Sequence, residues 1–139
     1  MTTSGPRRAL LDTSVVIDFP AARVATVADE VAVSAVTMGE LHYGVSAVSD
    51  PVVQMHRRRR VQAVLDRFEV LTFDQVAAEY YGALATLVRQ YGRNPRPRRL
   101  DLQIAATAAR HGVALLTRNA GDFTGLESAL TVIDLLEGS

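Results

Sequence analysis

Four acidic residues lie beside short apolar runs, where a buried strand would meet a helix: Asp12, Glu40, Asp101 and Asp122. Asp12 directly follows such a run and is itself followed by two hydroxyl residues and a second apolar run. This pattern predicts a strand, a tight turn and the start of a helix. In open parallel sheets, ligands bind at the carboxyl ends of the strands. We therefore expect the four acids to meet at one edge of a sheet.

Each acid taken alone has a structural explanation as part of a helix cap. Thr37 and Glu40 have the spacing of a capping box, in which the glutamate reaches back to the threonine amide. Asp12 could cap the helix that follows it, and Asp101 lies at a helix start, where a carboxylate complements the helix dipole. A looser version of the capping spacing joins Asn119 to the fourth acid. Only the joint placement of the acids favours a functional site.

A cluster of three or four carboxylates with no lysine or arginine between them would repel itself. Protons or a hard cation must then neutralise it, and oxygen ligands are preferred by Mg²⁺ and Mn²⁺. With a phosphate ester as substrate, such an ion positions a water, lowers its pKa and screens the developing charge. The acids therefore predict a Mg²⁺ site, with Mn²⁺ as a substitute, whose chemistry would suit a phosphate ester as the substrate.

The elements that must position these acids alternate between strands and helices along the whole chain. The apolar runs predict five strands, at residues 9–11, 31–36, 68–73, 113–117 and 130–134. Asp74 is predicted to begin a helix, and Gly112 to end one. This alternation predicts an α/β fold with three layers, α/β/α, around a parallel sheet with strand order 3-2-1-4-5. No boundary is evident, so we expect a single domain over residues 1–139.

The composition excludes several kinds of site. Cysteine is absent, which excludes disulfides and thiolate metal sites, and all fifteen basic residues are arginines. Without lysine, Schiff-base chemistry and a P-loop are excluded. The formal net charge is zero, which disfavours a generally basic protein that coats DNA. We expect no membrane span, because no apolar run approaches about 20 residues. A cytoplasmic location fits the absence of cysteine.

Four segments carry a resemblance to a known family. LLDTSVVID, SAVTMGELHYG, LDLQIAATAARHG and LLTRNAGDF resemble, in order and spacing, the four motifs of the PIN-domain family. The resemblance covers nearly the whole chain and is nearest to the VapC toxins of bacterial VapBC toxin–antitoxin pairs. It implies a metal-dependent endoribonuclease whose acidic cluster is formed by Asp12, Glu40, Asp101 and Asp122.

The same resemblance implies partners and supporting residues. It implies a VapB-type antitoxin that blocks the site, a homodimer, and tRNA or a loop of ribosomal RNA as the substrate. Thr13, Ser14, Thr117 and Asn119 match positions that often support the metal or its water. Leu100 stands where many relatives have Asn or Asp, and Asn119 stands where some have an extra acid. These departures favour one tightly held ion over two.

Two groups of arginines have unassigned roles. Arg93, Arg96, Arg98 and Arg99 precede the third acid and could hold RNA phosphates, since arginine suits bidentate phosphate contacts. The alternative is a solvated loop. The run 57–60 wraps a whole helical turn, so its four arginines cannot all face one partner. A solvated helix surface is therefore favoured there, with contact to RNA or antitoxin second.

Three other classes compete with a ribonuclease. The first is a PIN-like protein-binding module with weak or no catalysis, and the second is a nuclease that acts on DNA with the same metal chemistry. The third is a phosphatase of the haloacid dehalogenase type, which needs a second aspartate at position 14 and a lysine. The sequence has Ser14 and no lysine, which argues against the third class.

Overall fold

The computed structural model describes residues 5–136. Five strands form one sheet: β1 (Arg8–Leu11), β2 (Glu30–Ser34), β3 (Glu69–Leu71), β4 (Ala114–Thr117) and β5 (Val132–Asp134). Six α-helices connect them: α1 (Thr13–Ile17), α2 (Ala21–Ala25), α3 (Ala35–Ser46), α4 (Pro51–Arg67), α5 (Gln75–Gln90) and α6 (Arg99–His111). Two 3₁₀ turns span Arg96–Arg98 and Ala120–Phe123.

The sheet has the order β3-β2-β1-β4-β5, and every neighbouring pair of strands is parallel. This confirms the predicted fold class and strand order. Leu11 at the end of β1 pairs with Val33 of β2 on one side and with Leu116 of β4 on the other. The strand that precedes Asp12 is therefore the central strand of the sheet.

Alternation along the strands divides the core into two layers, because successive side chains of a strand point to opposite faces. Leu10 and Leu115 are buried against Leu84 of α5 and Ile104 of α6 on one face. On the other face, Leu11 and Leu116 pack with a cluster that includes Val15 of α1, Met38 of α3 and Val61 of α4. Helices thus cover both faces, which gives the three predicted layers.

Several predicted boundaries differ from those observed. The second strand ends at Ser34 rather than at residue 36, because the Ser34 hydroxyl accepts from the Val36 amide and starts α3 there. The third and fifth strands are three residues each. The segment 93–99, predicted as a loop, contains a 3₁₀ turn and the first residue of α6. Gly112 ends α6 at a φ of 67°, as predicted.

Asp74 links α5 to α6 on one face of the sheet, and its charge makes the stability of the fold depend on pH. Its Oδ1 accepts from the Ala77 amide (2.9 Å), and its Oδ2 lies 2.9 Å from the Arg110 Nε of α6. The Ala77 amide first, and then the Arg110 guanidinium, hold the pKa of the Asp74 carboxyl below its ordinary value. A carboxyl with a lowered folded-state pKa stabilises the fold above about pH 4, and this contribution is lost as the pH falls.

The substitution Asp74→Asn tests this contribution, since asparagine still caps a helix but carries no charge. We expect the variant to have a lower Tm than the unsubstituted chain near pH 7, and the difference to shrink as the pH falls below about 4. Thermal melting followed by circular dichroism measures both. Glu79→Gln is the control, because Glu79 is an exposed acid of the same helix with no ion pair in residues 5–136. A constant difference from pH 7 to pH 3 would contradict the role of the charge.

Candidate active site

Asp12 lies at the carboxyl end of the central strand and is 7% exposed. Its Oδ1 accepts from the Thr13 amide (2.9 Å), so it does cap α1. Its Oδ2 accepts from the Thr117 hydroxyl at the end of β4 (2.8 Å). The carboxylate therefore has both the structural role expected of a cap and a fixed orientation at the edge of the sheet.

Glu40 does not belong to a capping box, and that prediction was wrong. The helix that carries it starts three residues earlier than expected, with Ser34 as its cap, so Thr37 and Glu40 both lie inside α3. Glu40 instead accepts from the Thr13 hydroxyl (3.0 Å), which also lies 3.0 Å from the Thr37 hydroxyl. Because Glu40 is not part of a helix cap, its carboxylate is available to bind Thr13, the residue that follows Asp12.

Asp101 lies in the first turn of α6 and is the point where the four acids interact. The pKa of its carboxyl is raised, first by partial burial and then by the negative charges of Asp12, Asp122 and Glu40. The positive charge of Arg98 opposes this effect. The structure therefore brings the four predicted acids to one edge of the sheet, with the other three close enough to act on the Asp101 carboxyl.

Asp122 is paired with an arginine, contrary to the assumption that no cation lies among the carboxylates. The Arg98 Nη1 lies 3.3 Å from the Asp122 Oδ1 and donates to the Asp122 carbonyl oxygen (2.8 Å). The pairing arises because the 3₁₀ turn at 96–98 faces the one at 120–123. The Asn119 side chain does not cap the second turn, so the looser capping spacing there was also misread.

The four supporting residues lie around Asp12. Thr13 bonds to Glu40, and Thr117 bonds to Asp12 and accepts from the Asn119 amide (3.0 Å). Within residues 5–136, the Ser14 Oγ is the buried side-chain oxygen or nitrogen without a hydrogen-bond partner. A buried hydroxyl is normally satisfied by protein or by ordered water, so this atom fits a site that holds a further polar group.

The four carboxylates are the kind of ligand that a hard divalent cation prefers, but they are not arranged around a single point where one could bind. The candidate ligands are all carboxylate oxygens, and a cation would relieve the repulsion that raises the pKa of Asp101. No three Asp, Glu or His side chains among residues 5–136 are gathered closely enough to coordinate one ion. A cation held by three or more of them would require side-chain rotation, and one that Asp122 binds would require its release by Arg98.

The predicted RNA-binding arginines separate into two pairs. Arg98 is held by Asp122, and the Arg93 Nη1 lies 3.5 Å from the Gly121 carbonyl oxygen, so both reach the turn that carries the fourth acid. Arg96 and Arg99 are exposed and reach no residue of that turn. The loop is therefore docked on the site through two of its four arginines.

Sequence reasoning missed two arginines of the run 57–60. Arg57 and Arg60 line a cavity of about 290 Å³ together with Thr13 and Glu40, and the Arg57 Nη1 donates to the Gly44 carbonyl (2.7 Å). Arg57 is half-buried, whereas Arg58, Arg59 and Arg60 are exposed. The spacing i, i+3 was the available signal, because it places Arg57 and Arg60 on one face of α4.

A close contact between Tyr91 and Gly125 joins the end of α5, which leads into the arginine loop (residues 93–99), to the segment that follows the 3₁₀ turn at 120–123. Gly125 has a φ of 95°, and a Cβ on it would lie 2.7 Å from the Tyr91 ring. Gly125→Ala should therefore destabilise the protein by about 1–3 kcal/mol in urea unfolding. Gly82→Ala is the matched control, since Gly82 lies in α5 with no neighbour near a Cβ. Gly82→Ala should raise the free energy of unfolding by about 0.5–1 kcal/mol. If both substitutions changed the free energy of unfolding in the same direction, the contact at Gly125 would be contradicted.

No helix within residues 5–136 is long and apolar enough to span a membrane.

The comparisons with known proteins agree with the fold. The profile of the family described as PIN domain matches residues 9–125. Ribonuclease VapC4 of Mycobacterium tuberculosis is 39% identical over 81% of this chain and 87% of its own length. Ribonuclease VapC5 of the same organism is 35% identical over 91% of this chain and 93% of its own.

A solved structure extends the likeness to three dimensions. The crystal structure of VapBC-5 from Mycobacterium tuberculosis, a member of the VapBC family of toxin–antitoxin systems, superposes with a TM-score of 0.75 at 33% identity. The match covers 93% of this chain and 98% of that one. With its parallel sheet in the order 3-2-1-4-5 and acids at one edge, the chain belongs to the PIN-domain family and groups within it with the VapC ribonucleases.

Proposed function

We propose that this chain is the toxin of a type II toxin–antitoxin pair and acts as a Mg²⁺-dependent endoribonuclease. The observation that carries the proposal is that three carboxylates, Asp12, Glu40 and Asp122, lie close enough to Asp101 to act on its carboxyl, at the edge of the sheet where parallel folds bind their ligands. The similarity to two VapC ribonucleases over more than four-fifths of the chain supports the same reaction class.

The proposed ligands of the ion are Asp12 and Asp101, with Glu40 direct or through water and Asp122 completing the set. A bound Mg²⁺, or Mn²⁺ in its place, would supply positive charge that polarises the phosphate and the attacking water. Thr117 and the Thr13 amide hold Asp12 in one orientation before substrate arrives. The hydroxyl of Thr13 does the same for Glu40.

The neighbouring structures support a VapB-type antitoxin as the partner, because the structure compared above belongs to a VapBC system. We propose that such an antitoxin blocks the acidic site, and that the toxin forms a homodimer. The substrate proposed from the resemblance is tRNA or a loop of ribosomal RNA. A catalytically weak binding module and a DNA nuclease remain the alternatives to be tested.

The test is cleavage of total RNA by the purified chain with Mg²⁺, with and without a chelator. We expect discrete fragments with Mg²⁺ and none with the chelator, and primer extension then maps the cut site. Single-stranded DNA of the mapped sequence should stay intact. Cleavage that survives chelation would contradict the metal, equal cleavage of the DNA would favour the DNA nuclease, and no cleavage of either would favour the binding module. Glu79→Gln, an acid remote from the site, should cut like the unsubstituted chain.

A further inference from the structure

The arginine loop borders an open cavity that the acidic site does not include. It has a volume of about 730 Å³ and is lined by Tyr81, Arg89, Asn94, Pro95, Arg96 and Arg99. Its walls are the part of α5 from Tyr81 to Arg89, the loop that contains the 3₁₀ turn at 96–98, and the start of α6. None of the lining residues is acidic, so three guanidinium groups surround one concavity.

The charges of this cavity are not neutralised within the part of the chain that the structure describes. Arg89 and Arg96 form no ion pair there, and the Arg99 Nη1 donates to the neutral Arg96 carbonyl (3.2 Å). Arg98, by contrast, is engaged by the turn that carries Asp122, and Arg93 reaches its Gly121 carbonyl. The arginines therefore form two groups. One pair, Arg93 and Arg98, holds the loop against the turn that carries Asp122. The other three, which line the cavity, leave its positive charge unneutralised.

The cavity adjoins the acidic site through a shared residue. Arg99 also lines a second cavity of about 230 Å³ whose walls include Glu40 and Asp101. A strand whose scissile phosphate lies at the acids would place its neighbouring nucleotide at Arg99 and the larger cavity. The half-buried ring of Tyr81 packs on the core and forms part of the cavity wall. Its hydroxyl has no hydrogen-bond partner in residues 5–136.

We propose that this basic cavity is a subsite for the RNA strand next to the cleaved bond, in which Arg89, Arg96 and Arg99 bind backbone phosphates. The proposal rests on the proposed ribonuclease function and assigns the substrate path at that site. Arginine suits it because its planar guanidinium binds phosphate in a bidentate manner. An acidic protein segment would match the charge equally, but the shared wall with Asp101 favours the molecule that must reach the acids.

The test measures RNA binding without cleavage. Fluorescence anisotropy with a labelled single-stranded RNA of about 12 nucleotides is measured in EDTA, on the Asp101→Asn full-length chain. Adding Arg89→Gln and Arg96→Gln should weaken binding about tenfold near 0.1 M salt. The slope of log K against log salt should fall by about 1.4, since each phosphate contact on a single strand contributes about 0.7.

The matched control replaces Arg58 and Arg59, two exposed arginines of α4, by glutamine on the same background. It should leave the slope unchanged. The proposal is overturned if the cavity variant binds RNA normally, or if the control loses as much, because the effect would then come from overall charge. Binding of a labelled polyglutamate peptide is measured in the same way. If the cavity variant loses binding of the peptide but not of the RNA, the proposal is overturned, since the cavity would then receive an acidic protein segment.

A second measurement separates this proposal from the proposed function. With Asp101 restored and Mg²⁺ present, the cavity variant should cut the 12-nucleotide RNA more slowly and a dinucleoside monophosphate at the normal rate, because the latter carries no phosphate besides the scissile one for the subsite to bind. Equal slowing of both substrates would overturn the subsite. If the unsubstituted chain cuts no RNA at all, the proposed function fails, and the anisotropy result still decides whether the cavity binds the strand.

Discussion

Replacing Asp101 by asparagine should reduce RNA cleavage by more than about 100-fold, since even outer-shell partners of metal ligands typically cost 10- to 100-fold when mutated. The negative charges of the other three acids raise the pKa of the Asp101 carboxyl, and a bound cation would offset this repulsion. Asparagine has nearly the same size but cannot supply the charge. Initial rates of fragment formation at saturating Mg²⁺, followed on gels with labelled RNA, measure the loss.

Two comparisons give this prediction its specificity. Glu79→Gln, which also removes one acid, should cleave RNA at the normal rate. Circular dichroism of Asp101→Asn should match that of the unsubstituted chain, so that lost activity does not reflect lost structure. If the variant cuts RNA at the normal rate, Asp101 is no ligand and the assignment of the acidic site is wrong.

Removing Asp12 and removing Asp101 should change stability in opposite directions when no metal is present. Asp12→Ala loses the cap of α1 and leaves the buried Thr117 hydroxyl without its acceptor. We expect a loss of about 2–4 kcal/mol in the free energy of unfolding, from about 1 for the cap and about 1–3 for the unpaired hydroxyl. Urea unfolding in EDTA measures it.

Asp101→Asn should instead raise the free energy of unfolding near neutral pH. A carboxyl whose folded-state pKa is raised destabilises the fold when it is ionised, and asparagine removes that charge. The gain should shrink as the pH falls and the native carboxyl takes up its proton. It should also shrink or reverse when Mg²⁺ is added, because only the native site gains from the ion. Destabilisation by both substitutions would show that the acids act as caps and not as a cluster.

Much of the fold was predictable because it depends on local patterns. The five apolar runs, the cap at Asp74 and the stop at Gly112 each follow from a few neighbouring residues. The strand ends were less predictable, because a strand stops where its partner stops or where a side chain competes for its amides. Ser34 is the example, since its hydroxyl starts α3 within a valine-rich run that continues to Val36.

The sequence names the acids that could form the site, because their order along the chain places them after or before particular strands of a parallel sheet. It also excluded lysine and cysteine chemistry, because those residues are absent. These conclusions need no distances. They depend only on residue type and on the rule that parallel strands end at one edge.

The three-dimensional fold sets what each side chain contacts. Glu40 is freed from its expected cap and bonds to Thr13, 27 positions away, and Arg98 pairs with Asp122, 24 positions away. It also divided the arginines into those that dock the loop and those that line the cavity beside the site. The physical reason is that hydrogen bonds and ion pairs require atoms within about 3–4 Å. Only the folded chain brings residues that far apart in sequence to such distances.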